Sequence, residues 1–317
     1  MVGAAKIRRL SVSMTTAQTK DLKAALAFLL PNFLGFLGFI AGPIVASLVV
    51  SFTSWDLLTA PKWVGWSNFV DLLGFHRTAS GWMANDPDFW RFLGNTFFMM
   101  LSLPINMVGS LLLALILNQK IRFTSFYRLM FFLPSILAGV AIFYLWRFIY
   151  HSEYGLINAL LEKIGLQGQR WLENPVLAKP SLMFMGLWIG MGGASMILYL
   201  AALQTIPRDL YEASRIDGAD AWQRFWNITW PALHPITFFI FTMGVITGLQ
   251  GGFESAFVMT NGGPYGATTT IGFYIYTRAY VFFQMGYASA IAWVLFLLTL
   301  IITLVNWKRA VARLVSV

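Results

Sequence analysis

The stretch DLYEASRIDGADAWQRFWNITWP, Asp209–Pro231, carries Asp209, Glu212, Asp217 and Asp220 together with Arg215 and Arg224, and Arg208 stands immediately before it. It is the densest cluster of charge in the chain, and long apolar runs flank it on both sides. Of 317 residues, 58% are hydrophobic and only 11% charged, with a mean hydropathy of +0.67. A soluble domain carries about 25% charged residues. A deficit of this size means that most of the surface does not face water, so the chain reads as an all-α integral membrane protein.

A helix crosses a bilayer with roughly 20 mainly apolar residues. Six segments qualify: 25–52, 92–117, 127–149, 181–203, 233–257 and 283–306. The first contains Pro31 and Pro43, which predicts a kink or an early turn outside the membrane. It exceeds the apolar core of a signal peptide, about 7–15 residues, and is expected to remain in the mature protein. The organisation is then a tail at 1–24, a six-helix transmembrane domain at 25–306 and a tail at 307–317.

Lys and Arg resist translocation, so their distribution sets orientation. With both termini cytoplasmic, the inner segments hold 14 of the 22 basic residues and five of the 13 acids. The outer segments hold eight of each, so the whole net charge of +9 lies on the inner face. The basic character therefore calls for no nucleic-acid partner. The outer loops near 54–91 and 150–180 are rich in aromatics, including Trp55, Trp63, Trp66, Trp82, Trp90 and Trp171. Such residues suit either the lipid–water boundary or a docking surface.

The opening stretch falls in the cytoplasmic connection 204–232, between the fourth and fifth spans. Pro207 suits a helix start. Gly218 interrupts that helix, a second is expected from Ala219 to Trp230, and Pro231 marks its end. Ala213, Ser214, Gly218, Ala219 and Ala221 leave little side chain on one side, which lets another backbone approach closely. Two readings follow: a knob that fits a cleft in a partner protein, its charges fixing orientation, or an amphipathic helix lying on the membrane surface.

YEASRIDGADAWQRFWNITWP resembles the EAA loop of ATP-binding-cassette (ABC) importer permeases, with Glu212, Ala213, Ser214, Gly218, Ile228 and Pro231 at the family spacing. Ser214 replaces the family's second alanine. Met259–Phe296, beginning MTNGGPYGATTT, resembles the outer loop and last helix of the carbohydrate subfamily, its TNGGP run being more typical of the maltose-permease-like member, and the block FYRLMFFLPSILAGVAIFYLWRFIY, residues 126–150, resembles the family's third span. The resemblance covers about residues 25–306. It implies a type I ABC importer permease fold in a bacterial inner (plasma) membrane, with 204–232 forming a coupling helix seated in a cytoplasmic ATPase. Tyr211, Glu212, Ala213, Ser214, Asp217, Gly218 and Ala219 would make that contact. It also implies a second related permease, two ATPase subunits that bind ATP and Mg, an outer solute-binding protein and a carbohydrate substrate. The extra N-terminal helices and large outer domain of the large maltose permeases are absent from this sequence, so contacts made by those parts do not carry over.

No GxxxxGK[ST] phosphate loop occurs in the chain, so energy for uphill transport would come from outside it. The substrate path is expected near the bilayer midplane. Its candidates are Trp188, Gly192, Gly193 and Ser195 in the fourth span, and Gln250, Phe253, Glu254 and Ser255 in the fifth. Aromatic faces suit the C–H surfaces of sugars. Glycines in spans also serve helix packing, and an intramembrane acid such as Glu254 needs solvation or a partner, for which Arg147 and Arg278 are in reach. There is no cysteine, and His76, His151 and His234 lack metal-ligand spacing, so neither a metal site nor a cofactor is expected in this chain. A membrane-embedded enzyme would need a nucleophile with a base, paired acids or a metal cluster, and none is visible. A channel or receptor-type subunit without ATP coupling would leave the charged loop without a task.

Overall fold

The computed structural model describes residues 16–79, 81–119, 121–137 and 139–315. Lys6, Arg8, Arg9 and Lys120, counted above for orientation, lie outside the described residues. The chain divides into two compact units, residues 1–50 and 51–317.

The first unit is helical from Thr16, through Thr16–Phe36, a π turn at Leu37–Ala41, and Gly42–Val50. No residue from 24 to 50 is buried, and Phe28 and Phe39 are 85% and 87% exposed. A helix apolar on every side is a membrane span or a core helix, and this one is bare. The kink expected from the prolines takes the form of the π turn. The Gly42 amide donates to the Leu37 carbonyl, five residues back, and this wider turn accommodates Pro43, which has no amide hydrogen to give.

Ala24–Val50, Pro87–Leu117, Ala221–Gln250 and Met285–Lys308 are long and apolar enough to cross a membrane. Two bent pairs, Thr124–Ile136 with Gly139–Ile149 and Pro175–Gly190 with Ala194–Thr205, make six if each pair is one span. These positions follow the apolar runs, but the ends differ for local reasons. The second span starts early because Asp86 caps it, accepting from the Phe89 amide at 3.0 Å, with Pro87 in the first turn. The last helix continues to Val315 rather than ending at 306. Pro231 does not end a helix. A π turn at Phe225–Thr229, closed by the Trp230 amide on the Phe225 carbonyl, carries Ala221–Arg224 through that proline into the fifth span.

The all-α expectation meets one addition. Between the first two spans the chain forms two short antiparallel ribbons, Thr53–Ser54 with Lys62–Trp63 and Phe75–Thr78 with Gly81–Ala84.

The second unit buries three apolar clusters. One, around Leu111, Met196, Tyr199, Leu203 and Leu233, lies toward the charged connection. Another joins Phe92, Leu249, Ile271, Tyr274 and Ile291. The third joins Ile142, Trp146, Tyr150, Leu182 and Met185. Many of the remaining large apolar side chains are exposed, Leu133, Phe148 and Ile301 among them, as expected where lipid replaces water.

The loops away from the charged connection are held by polar side chains. Asn158, 1% exposed, donates to the Ser152 and Gln169 carbonyls, both at 2.9 Å, and accepts from the Gln169 amide at 2.9 Å and Trp171 Nε1 at 2.8 Å. Leaving such buried partners unpaired costs about 1–3 kcal/mol each. Asn158→Ala should therefore open the 152–171 loop while the spans stay folded. Limited trypsin digestion should then cut rapidly at Arg170 in the variant and slowly in the native protein.

Candidate functional site: a charged hairpin beneath two broken spans

Helix Arg208–Ile216 begins after Pro207, which occupies the N-cap with φ −59° and ψ 134°. It ends at Gly218, whose φ of +78° lies in the left-handed region. The Ala219 amide reaches back to the Ser214 carbonyl at 2.9 Å and the Gly218 amide to Arg215 at 3.1 Å, a double closure that only a left-handed residue permits without strain. Asp220 starts the next helix: its carboxylate accepts from the Gln223 amide at 2.7 Å, and the Gln223 side chain accepts from the Asp220 amide at 2.9 Å. Arg224 closes the corner on the Ala219 carbonyl at 2.7 Å, and the Tyr211 hydroxyl ties the two arms through Thr229 at 2.8 Å.

The hairpin is thus satisfied internally, and its outer face is left bare. Glu212, Ala213, Asp217 and Gly218 are exposed, and Ile216 is 87% exposed. Ser214 and Ala219 are half-buried, and Tyr211 turns toward the apolar cluster below. Among the described residues, the side chains of Glu212 and Asp217 make no hydrogen bond or ion pair. The exposed isoleucine went unremarked in the sequence, although its place one residue before Asp217 is visible there. Trp222, Trp226 and Trp230 form a ladder of edge contacts with ring centroids 5.6 and 5.9 Å apart, the arrangement expected at a lipid–water boundary.

Both spans joined by this hairpin are interrupted further along. The fourth breaks at 191–193, between Pro175–Gly190 and Ala194–Thr205, with a bend of 41°. The fifth breaks at Gly251 and Gly252, where Gly252 has φ +80° and a Cβ would fall 2.7 Å from Thr270 Cγ2. The breaks face one cavity of about 460 Å³, lined by Gly190, Gly193, Ser195, Gly248, Gly251 and Gly252 and by the polar side chains of Thr96, Ser102, Asn106, Ser135, Thr247 and Thr270. Non-helical backbone at membrane depth is tolerated where it lines such a cavity.

Of the eight path candidates read from the sequence, Gly193 and Ser195 line this cavity. Gly192 instead packs against the Phe131 backbone, where a Cβ would collide with the carbonyl. Trp188 sits edge-on to Trp146 at 5.5 Å. Gln250 is exposed at the last helical position before the break. Phe253 stacks on Phe257 at 5.6 Å. Glu254 is exposed over Gly139 and pairs with neither arginine in reach. Arg147 donates to the Val258 carbonyl at 3.4 Å, and Arg278 is held by the Tyr274 hydroxyl at 2.7 Å. Ser255, the further candidate in the fifth span, donates to the Gly252 carbonyl at 3.2 Å. Thr96, Ser102, Asn106, Ser135, Thr247 and Thr270 were missed. Each is a hydrogen-bonding residue within or beside an apolar run, which is the signal that could have found them.

Residues 78–317 match the family described as binding-protein-dependent transport system inner membrane component. The chain belongs to this permease family. It is similar to the probable ABC transporter permease protein YesP of Bacillus subtilis (strain 168), with 40% identity over 296 residues, 92% of this chain and 91% of that protein. It is also similar to the arabinooligosaccharides transport system permease protein AraP of the same organism, with 31% identity over 284 residues, 89% and 86% of the two chains. Among solved structures, it superposes with a TM-score of 0.80 and 25% identity on a chain from a bacterial ABC transporter involved in the import of the acidic polysaccharide alginate, covering 93% of this chain and 98% of that one.

The permease is a multi-pass inner-membrane transport subunit, and its intramembrane glycines divide into two kinds. Gly192 is locked against backbone, whereas Gly186 has no neighbour within 4 Å of a Cβ. Gly192→Ala should destabilise the permease by about 1–3 kcal/mol through overpacking. Gly186→Ala should be neutral or stabilising by up to about 1 kcal/mol. Thermal unfolding of the two detergent-solubilised variants checks the contrast.

Proposed function

We propose that the permease imports a carbohydrate, an oligosaccharide or related solute, through the cavity at the broken fourth and fifth spans, and that the charged hairpin couples this path to a cytoplasmic ATPase. The observation that carries the reading is the connection between them. The two spans whose breaks face the cavity are the two that the hairpin joins, and Tyr211, Phe225, Ile228 and Trp230 of the hairpin pack on the same apolar cluster as Leu203 of the fourth span and Leu233 of the fifth. A force applied to a rigid hairpin is therefore applied to the two walls of the cavity that carry the breaks.

In this reading the chain carries out no chemistry of its own. Two ATPase subunits bind ATP and Mg, close around them and push on Glu212, Ala213, Ser214, Asp217, Gly218 and Ala219. A second related permease completes the path, and an outer solute-binding protein delivers the substrate; the family's description as binding-protein-dependent supports the latter. The inner concentration of basic residues supports cytoplasmic termini and a cytoplasmic hairpin. The cavity chemistry suits a sugar: hydroxyls and the Asn106 amide can exchange hydrogen bonds with substrate hydroxyls, and Met99, Met100 and Ile189 offer apolar contact to its C–H faces. AraP and the alginate importer, to which the chain is similar, are named for saccharides. A channel without ATP coupling would give the hairpin's bare outer face nothing to bind.

Two variants separate the coupling from the path. Gly218 has open space around it, so Gly218→Arg places bulk on the outer face at a backbone cost of about 1–2 kcal/mol. Co-purification from cells expressing all subunits should lose the ATPase and keep the second permease. Equal recovery of ATPase with native and variant chains would overturn the coupling. Ser195→Phe, which fills the cavity, should keep the ATPase and abolish uptake of labelled oligosaccharide; undiminished uptake would remove the cavity from the path.

A further inference from the structure

A separate groove of about 420 Å³ runs between helices Thr124–Ile136 and Ala194–Thr205. Its lining is ordered by polarity. Arg128 and Gln204 lie at the end nearest the charged hairpin. Leu129, Leu200 and Ala201 follow, and Phe132, Met196 and Ile197 lie furthest from the hairpin along the two helices. From Gln204 to Ile197 the helix rises about 11 Å.

The arginine is poorly matched by protein. One Nη reaches the Leu117 carbonyl at 3.4 Å, and the buried Nε has no hydrogen-bond partner. Among the described residues no carboxylate lines the groove, and the sequence has no acid at all between Asp88 and Glu153. A guanidinium held at a membrane boundary without a counter-charge is costly unless an anion meets it. The same groove offers the anion's carrier an apolar slot. A free inorganic anion would satisfy Arg128 and leave the slot unfilled, while a neutral lipid or an apolar helix would fill the slot and leave the guanidinium unmatched.

We infer that this groove binds an anionic phospholipid, with its phosphate on Arg128 and Gln204 and an acyl chain along Leu129, Leu200, Phe132 and Ile197. Arg presents a planar fork to phosphate oxygens, and basic pockets between membrane helices take acidic headgroups in this way. The inference rests on the chain's place in a membrane and not on the transport path, so its failure leaves the proposed function standing.

The test uses the permease purified with the subunits it assembles with, reconstituted in vesicles of equal phosphatidylglycerol and phosphatidylcholine. After mild re-extraction, native mass spectrometry counts the retained lipids. The native protein should retain phosphatidylglycerol over phosphatidylcholine. Arg128→Gln should lower that ratio by about fivefold, the worth of one Lys or Arg near an anionic surface. Leu129→Trp, which fills the apolar slot and keeps Arg128, should do the same without lowering the melting temperature. Equal ratios in native and Arg128→Gln proteins would overturn the site. So would inorganic phosphate binding the native but not the variant protein in phosphatidylcholine alone, which would mark a free-anion site. A photo-crosslinker at Ile197 should capture lipid; capture of the second permease would make the groove a subunit contact and overturn the inference.

Discussion

Every backbone amide and carbonyl inside a bilayer must find its partner within the protein, and the rest of this structure depends on that constraint. It makes the second unit a set of long helices and confines the two ribbons to the segment between the first and second spans. It also governs how the helices are interrupted. Where proline removes a donor, as at Pro43 and Pro231, a π turn lies just before it and the helix continues. Where the helix stops outright, at 191–193 and at Gly251–Gly252, the freed backbone borders a cavity whose lining includes the side chains of Thr96, Ser102, Asn106, Ser135, Thr247 and Thr270. The breaks and the cavity therefore belong together, since freed backbone in lipid needs such a cavity or a protein cover.

Away from the charged hairpin the same constraint is met by side chains. Asp86 caps the second span and accepts from the hydroxyls of Tyr274 and Tyr287, while Arg278 donates to Tyr274. Asn95 donates to the Gly266 and Thr269 carbonyls at 2.9 and 3.0 Å, and the Thr96 hydroxyl accepts from the Ile271 amide at 3.0 Å. These contacts fasten the 261–271 loop to the second span directly beside Thr96 and Thr270, which line the cavity. At the hairpin end the logic is the reverse. The hairpin satisfies its own backbone through Gly218, Asp220 and Arg224, and so keeps its shape while its outer face stays open.

The amino-acid sequence determined a good deal by itself. Composition placed the chain in a membrane, because too few residues are polar to cover a water-facing surface. Apolar runs located the spans, because a bilayer sets their length. The hairpin was legible because its determinants are local: Gly218, Asp220 and Gln223 act on neighbours within five residues. The helix ends were less legible, since Asp86 and the π turn before Pro231 act through hydrogen-bond geometry that a hydropathy run does not contain.

Only the tertiary structure decided the cavity. Thr96, Asn106, Ser135, Gly193, Thr247 and Thr270 come from segments separated by up to 174 residues, and nothing in the neighbourhood of any one of them points to the others. Gly192 and Gly193 are adjacent in sequence, yet one packs on the Phe131 backbone and the other opens onto the cavity. Glu254 draws attention as an acid in an apolar run, but the break at Gly252 and the short helix after it turn it to the surface. The physical reason is common to all three. Which side of a helix faces a neighbour depends on how the helices cross, and the crossing is set by packing between residues far apart in the chain.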